Sequence, residues 1–204
     1  MTLLAVRALT KAFGGVRAAN EVSFDIARGE FLALIGPNGA GKTTCFNMIN
    51  GQLAPDAGDI LIGDQNIAGL APRDIWRLGV GRTFQVAATF GSMTAIENVQ
   101  MALISHARET CRLWRAAASL HRERALGLLA QVGMQDAAGR PCRELAYGDV
   151  KRVELAIALA NNPRLLLMDE PTAGMAAGER HKLIELIKCL VVERGISVLF
   201  TEHS

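Results

Sequence analysis

The sequence predicts an α/β fold, a parallel-sheet core with a helical insertion set into it. Three observations predict this. Phe31 to Ile35, Leu165 to Met168 and Ile196 to Thr201 are apolar runs of strand length without alternation, as expected for strands covered on both faces. Helical segments separate these runs, so strands and helices alternate at both ends of the chain. Between about residues 86 and 160 only helical patterns are legible. Residues 1–85 would therefore hold the first part of the core, 86–160 the insertion and 161–204 the second part.

The elements follow in order. Val22 to Ile26 alternates apolar and polar residues and reads as a half-buried strand. Arg28-Gly29-Glu30 turns the chain into Phe31 to Ile35, read as a central strand buried on both faces. A Gly-rich loop leads into a helix from about Lys42 to Asn50, stopped by Gly51, and Ile60 to Ile62 is a short strand. Pro72 opens a helix that ends near Gly79, and Gly81 to Phe84 is a strand. Thr94 and Glu97 have capping-box spacing before a helix to about His106. Ala116 to Val132 is helical in composition and stopped by Gly133, and another helix runs from about Val150 to Ala160. An amphipathic helix over Glu179 to Arg194, stopped by Gly195, precedes the last strand.

Composition narrows the function classes. Half of the 204 residues are hydrophobic and about a fifth are charged, a globular balance. The apolar stretch from Leu183 to Phe200 is broken by Glu185, Lys188, Glu193 and Arg194, so no run reaches the roughly 20 residues a bilayer requires. Met1 to Arg7 lacks the features of a secretory signal. A formal charge of +2 does not by itself suggest nucleic-acid binding. Cys45, Cys111, Cys142 and Cys189 have no metal-site spacing and point to a reducing cytosol.

Two motifs carry chemistry from residue type alone. Gly36-Pro37-Asn38-Gly39-Ala40-Gly41-Lys42-Thr43, followed by Thr44, fits the phosphate-loop pattern GxxxxGK(S/T) between an apolar strand and a helix. Its glycines let backbone amides turn toward anionic oxygens, and the helix dipole adds to the attraction. Lys42 would reach the β- and γ-phosphates of a nucleoside triphosphate, and the Thr43 hydroxyl would ligate Mg²⁺. The second motif is the apolar strand Leu165 to Met168 ending in Asp169 and Glu170. Buried carboxylates are costly unless they face a cation or a reaction centre. Asp169 would hold Mg²⁺ through water, and Glu170 would polarise the attacking water.

With Leu145-Ala146-Tyr147-Gly148-Asp149 ahead of a helix, the chain resembles the ATP-binding-cassette family, whose signature is LSGGQ. Pro171-Thr172 after the paired acids, Gln85 after its strand and His203 after the last strand fall where that family's motifs fall, in order along essentially the whole chain. The resemblance implies a P-loop NTPase parallel-sheet core with an antiparallel β-subdomain and an inserted helical subdomain. It implies that Phe13 stacks on adenine, that Gln85 senses Mg²⁺, and that His203 contacts the γ-phosphate and positions Glu170 and water. It also implies that Leu145 to Asp149 of a second subunit, a copy or a paralogue, closes over the ATP.

The signature departs from the commonest form. Ala146 stands in place of a phosphate-binding serine, and Asp149 replaces glutamine and is expected to cap the helix. Ala173-Gly174-Met175 replaces the usual Gly-Leu-Asp. These variants, together with Arg82-Thr83-Phe84-Gln85, look most like ATPase subunits of branched-chain amino acid importers, with urea and amide importers close by. The implied partners are transmembrane permease subunits and, indirectly, a substrate-binding protein, at the cytoplasmic face of the membrane. The rival is a soluble cassette ATPase of DNA repair or translation, which usually carries a long coiled-coil insertion or a second cassette. A nucleotide-binding module without turnover would lack Glu170 or His203. Arg108 to Arg124, with Trp114, reads first as a solvated helix face and second as a docking surface for a membrane partner. Because family members continue beyond the histidine, the chain is expected to be a fragment ending at Ser204.

Overall fold

The three apolar runs become strands of one parallel sheet, and a separate antiparallel sheet accompanies it. The structure, a computed structural model, describes residues 1–83, 88–107 and 119–202. The antiparallel sheet has the order β2-β1-β4-β5, from β1 (Thr2–Phe13), β2 (Val16–Ala27), β4 (Ala57–Ile62) and β5 (Gln65–Asn66). The parallel sheet has the order β3-β8-β7-β6, from β3 (Phe31–Ile35), β6 (Val80–Thr83), β7 (Leu165–Asp169) and β8 (Ser197–Glu202). Helix α1 (Lys42–Ile49) buries Cys45, Phe46, Met48 and Ile49 in one cluster with Leu4 and Val6 of β1 and with Leu165, Leu167 and Leu199 of the parallel sheet. These elements, with α2 (Pro72–Arg77), belong to a first unit of residues 1–85, 164–171 and 187–204.

The second unit comprises residues 86–163 and 172–186 and is helical among its described residues. Its helices are α3 (Ala95–His106), α4 (Arg122–Gln131), α5 (Tyr147–Ala158) and the first half of α6 (Ala177–Arg194). Ile96, Val99 and Leu103 of α3, Ala125, Leu128 and Leu129 of α4 and Val153 and Ala156 of α5 are buried at helical spacing. Thr94 forms the expected capping box: its hydroxyl accepts from the Glu97 amide, and the Glu97 carboxylate accepts from the Thr94 amide at 2.8 Å. Among the described residues no helix is long and apolar enough to cross a membrane.

Three readings change, and β1 went unread. Among the described residues β3 is an edge strand paired only with β8, and Ile35 is 69% exposed, whereas every residue of β7 is buried. A continuous apolar run gives strand character but not strand order. β1 has no alternating pattern because bulges interrupt its pairing with β2 and β4 and Ala8 takes φ 45°. α4 begins at Arg122, where His121 takes φ 54°, and residues 116–118 of the helix expected from Ala116 lie outside the described residues. α5 begins at Tyr147 rather than Val150, since the Ala146 carbonyl already accepts from the Asp149 and Val150 amides.

Bonds from the Thr94 amide and hydroxyl hold the Glu97 carboxyl below its ordinary value of 4.5. The folded value lies below the unfolded one, so this stabilisation is present above pH 4.5 and is lost as pH falls through the folded value. Glu97→Gln is therefore expected to be less stable than wild type at pH 7, with the gap closing below pH 4.5 in urea melts. Thr94→Ala should cost about 1 kcal/mol. A gap for Glu97→Gln that does not narrow as pH falls below 4.5 would contradict this account.

Candidate nucleotide site

The loop between β3 and α1 packs so closely against β2 that glycine alone is acceptable at Gly41. This residue precedes α1 with φ 83°, and a Cβ there would overlap the Ala18 carbonyl oxygen. Lys42, the first residue of α1, is buried and donates through Nζ to the carbonyl oxygens of Gly36 at 2.5 Å and Pro37 at 3.0 Å. A cleft of about 300 Å³ lies over this loop, lined by Phe13, Ala18, Asn38 through Thr44, and Glu170. The amides at the start of α1 lack intrahelical acceptors and give the cleft floor an anion-attracting character. Phe13 ends β1 half exposed at this cleft, not in the core, and the Lys11 ammonium lies 5.8 Å from its ring centre.

The two acids at the end of β7 are set by β8. Parallel pairing aligns Asp169 with Thr201. The fully buried Thr201 hydroxyl donates to Asp169 Oδ1 at 2.7 Å and accepts from the Glu170 amide at 3.0 Å. Glu170 has φ 47°, a left-handed conformation uncommon for a residue with a Cβ, and it lines the phosphate-loop cleft. From β6, Arg82 places Nη2 3.5 Å from Asp169 Oδ2, both side chains being almost inaccessible. Burial pushes the Arg82 guanidinium down from its ordinary value, and the Asp169 charge pulls it back up. Its Nη1 donates to Asn47 Oδ1 and Gln52 Oε1, each at 2.9 Å.

These residues fit a phosphate ligand and a hard cation. Thr43 and Asp169 offer oxygen donors, the chemistry Mg²⁺ takes, and no group of three His, Cys, Asp or Glu able to hold a metal occurs among the described residues. A cation here would be bound through one or two protein oxygens and phosphate oxygens, as is usual for Mg²⁺.

In the second unit, Leu145 precedes α5, Ala146 occupies its N-cap without a side-chain acceptor, and Tyr147, Gly148 and Asp149 form its first turn. Asp149 is thus the third helical residue and does not cap the helix as expected. Its charge instead favours the positive end of the helix dipole. A Cβ at Gly148 would sit 3.4 Å from the Glu179 carboxyl, so a second acid lies against the same turn. Tyr147 is 44% exposed, and a Cβ at Gly174 would lie 3.6 Å from its ring.

Gln85 and His203 lie outside the described residues, as do Phe84 and residues 108–118 of the arginine-rich stretch, with Trp114 among them. Sequence reasoning missed Thr201 and the contacts of Arg82. The available signal was a polar residue within an otherwise apolar strand, in Val198-Leu199-Phe200-Thr201 and Val80-Gly81-Arg82.

Comparisons with known proteins identify the family. The family model described as ABC transporter matches residues 19–173. The chain is 40% identical over 209 residues to LivG of Escherichia coli, a high-affinity branched-chain amino acid transport ATP-binding protein, covering 98% of this chain and 82% of that one. It is 38% identical over 208 residues to BraF of Pseudomonas aeruginosa, of the same description, with the same coverage. Among solved structures, the ADP conformation of an ATP-binding cassette of an ABC transporter superposes with a TM-score of 0.88 at 31% identity, covering all of this chain and 82% of that one. A dimeric cassette in a post-hydrolysis state, bound to ADP and phosphate, gives a TM-score of 0.82 at 29% identity, covering 98% and 88%. With a phosphate loop, a paired-acid strand end and a match through most of its length, the chain belongs to the ATP-binding-cassette transporter family and is one of its ATPases.

Proposed function

We propose that this ATPase energises an importer, and that the cargo is a branched-chain amino acid. The observation that carries the enzymatic part is the convergence of Lys42, the loop amides and Glu170 on one cleft, with Glu170 held in a left-handed backbone conformation. The cargo rests on likeness to LivG and BraF. In this reading Phe13 stacks on the adenine and residues 36–44 wrap the phosphates. On nucleotide entry the Lys42 ammonium exchanges the Gly36 and Pro37 carbonyls for phosphate oxygens. Glu170 orients a water for in-line attack on the γ-phosphorus and accepts its proton as the bond to ADP breaks. Mg²⁺, held by Thr43 and Asp169 with help from Gln85, would neutralise charge on the β- and γ-phosphates. His203 would contact the γ-phosphate and keep Glu170 and the water aligned.

The site is completed by residues 145–149 of a second subunit. That half lacks the serine hydroxyl at Ala146 and carries Asp149 and Glu179 beside its amides, so it binds phosphate through the Gly148 region more weakly than a serine-bearing signature would. Closure of the two subunits around ATP, and reopening after hydrolysis, would drive permease subunits at the cytoplasmic face of the membrane. Copurification with permeases, followed by uptake of branched-chain amino acids, urea and amides, tests the cargo. Energised uptake of urea or amides alone would overturn it.

Two substitutions test the chemistry. Glu170→Gln keeps the shape of the site and removes the base. It should retain ATP binding while lowering turnover on the order of 10²-fold or more in the assembled transporter, and wild-type rates would contradict the role. Thr201→Val keeps the volume but removes the donor to Asp169 and the acceptor for the Glu170 amide. A loss of about 1–3 kcal/mol in stability, with turnover falling further than ATP affinity, is expected from denaturation and steady-state kinetics.

A further inference from the structure

Arg82 is a buried cation whose Nη1 is held by neutral groups. Its Nη1 donates to the side-chain oxygens of Asn47 on α1 and Gln52 just beyond it, each at 2.9 Å. Its Nη2 stands 3.5 Å from Asp169 Oδ2, longer than a good charge-assisted hydrogen bond. Meanwhile Asp169 Oδ1 is occupied by the Thr201 hydroxyl at 2.7 Å. One carboxylate oxygen is therefore tied down, and the other faces a charge at a looser distance. Asn47 lies one helical turn beyond Thr43 and on the same face of α1. Through Asn47 and Asp169, Arg82 thus touches both elements that carry the oxygen donors of the proposed cation site. Both charges of the pair are buried, and a lone buried carboxylate is strongly disfavoured.

We propose that Arg82 is a built-in counter-cation for Asp169: it neutralises the carboxylate when no metal is present, competes with the divalent cation for Oδ2, and so sets the metal requirement of the site. It acts through Asp169 and is a positioning residue. The pairing stands on the geometry alone, whereas the competition rests on the reading that Asp169 serves a cation.

Two measurements on the chain separate these parts. Thermal melts in EDTA form a cycle of wild type, Arg82→Gln, Asp169→Asn and the double variant. Arg82→Gln should melt lower, and Asp169→Asn should recover most of that loss in the double variant. Additive effects would overturn the pairing. The second measurement titrates Mg²⁺ against binding of a fluorescent ATP analogue. Arg82→Gln should reach half-saturation at an Mg²⁺ concentration about ten-fold lower, because its competitor is gone. Arg82→Lys, which keeps the charge, should stay near wild type. An unchanged or higher requirement in Arg82→Gln would overturn the competition. If Arg82→Gln alone does not fold, folding of the double variant supports the pairing and its failure to fold overturns it. A wild-type chain whose nucleotide binding ignores Mg²⁺ would overturn the metal reading instead, and the melting cycle would still decide the pairing.

Discussion

The acidic end of β7 depends on one hydroxyl. Thr201 bridges β8 and β7 by donating to the Asp169 carboxylate and accepting from the Glu170 amide. A hydroxyl can serve both because it has one donor and two lone pairs. Parallel register places it opposite Asp169, and that register is held by the apolar burial of Leu165, Leu167 and Leu199. The left-handed conformation of Glu170 costs on the order of 1–3 kcal/mol and persists only where surrounding structure enforces it. Here the Thr201 bond and the buried strands around it supply that enforcement, and Glu170 is presented to the phosphate-loop cleft as a result.

The rest of the first unit extends the same constraint. α1 packs its Phe46 and Ile49 into the cluster shared with β7 and β8, so the helix that begins at Lys42 and the strand that ends at Asp169 are parts of one core. Arg82 adds a polar tie between them through Asn47 and Asp169. This polar tie is tolerated because Nη1 and Nη2 of Arg82 both meet oxygens, and it fixes the geometry more tightly than apolar contact alone. The signature helix is built differently. Its first turn is capped by Ala146, which offers no side-chain acceptor, and acids at Asp149 and Glu179 meet the positive end of its dipole.

Much of this was legible in the sequence, and the limits have physical causes. The phosphate loop could be read because its function needs backbone freedom, a lysine and a hydroxyl within eight consecutive residues. The paired acids were legible because an apolar strand rarely ends in two carboxylates unless a cation or a reaction centre offsets the cost of burying them. Non-local relations were not legible. The edge position of β3 depends on pairing with β8, far along the chain. β1 hid behind its bulges, and the start of α5 behind a cap without a polar side chain. Arg82 and Thr201 read as ordinary strand residues because their partners lie on other elements, brought close only by the sheet and by α1 packing.

The central claim is that the triphosphate lies between the loop of residues 36–44 and the end of β7, with Lys42 leaving its carbonyl partners to hold it. A crystal structure of the Glu170→Gln chain with ATP and Mg²⁺ tests this most directly. The account predicts Lys42 Nζ within hydrogen-bond distance of the β- and γ-phosphate oxygens, the adenine against Phe13, and residue 170 facing the γ-phosphate. A nucleotide bound elsewhere, or a Lys42 that stays on the Gly36 and Pro37 carbonyls beside bound ATP, would contradict it.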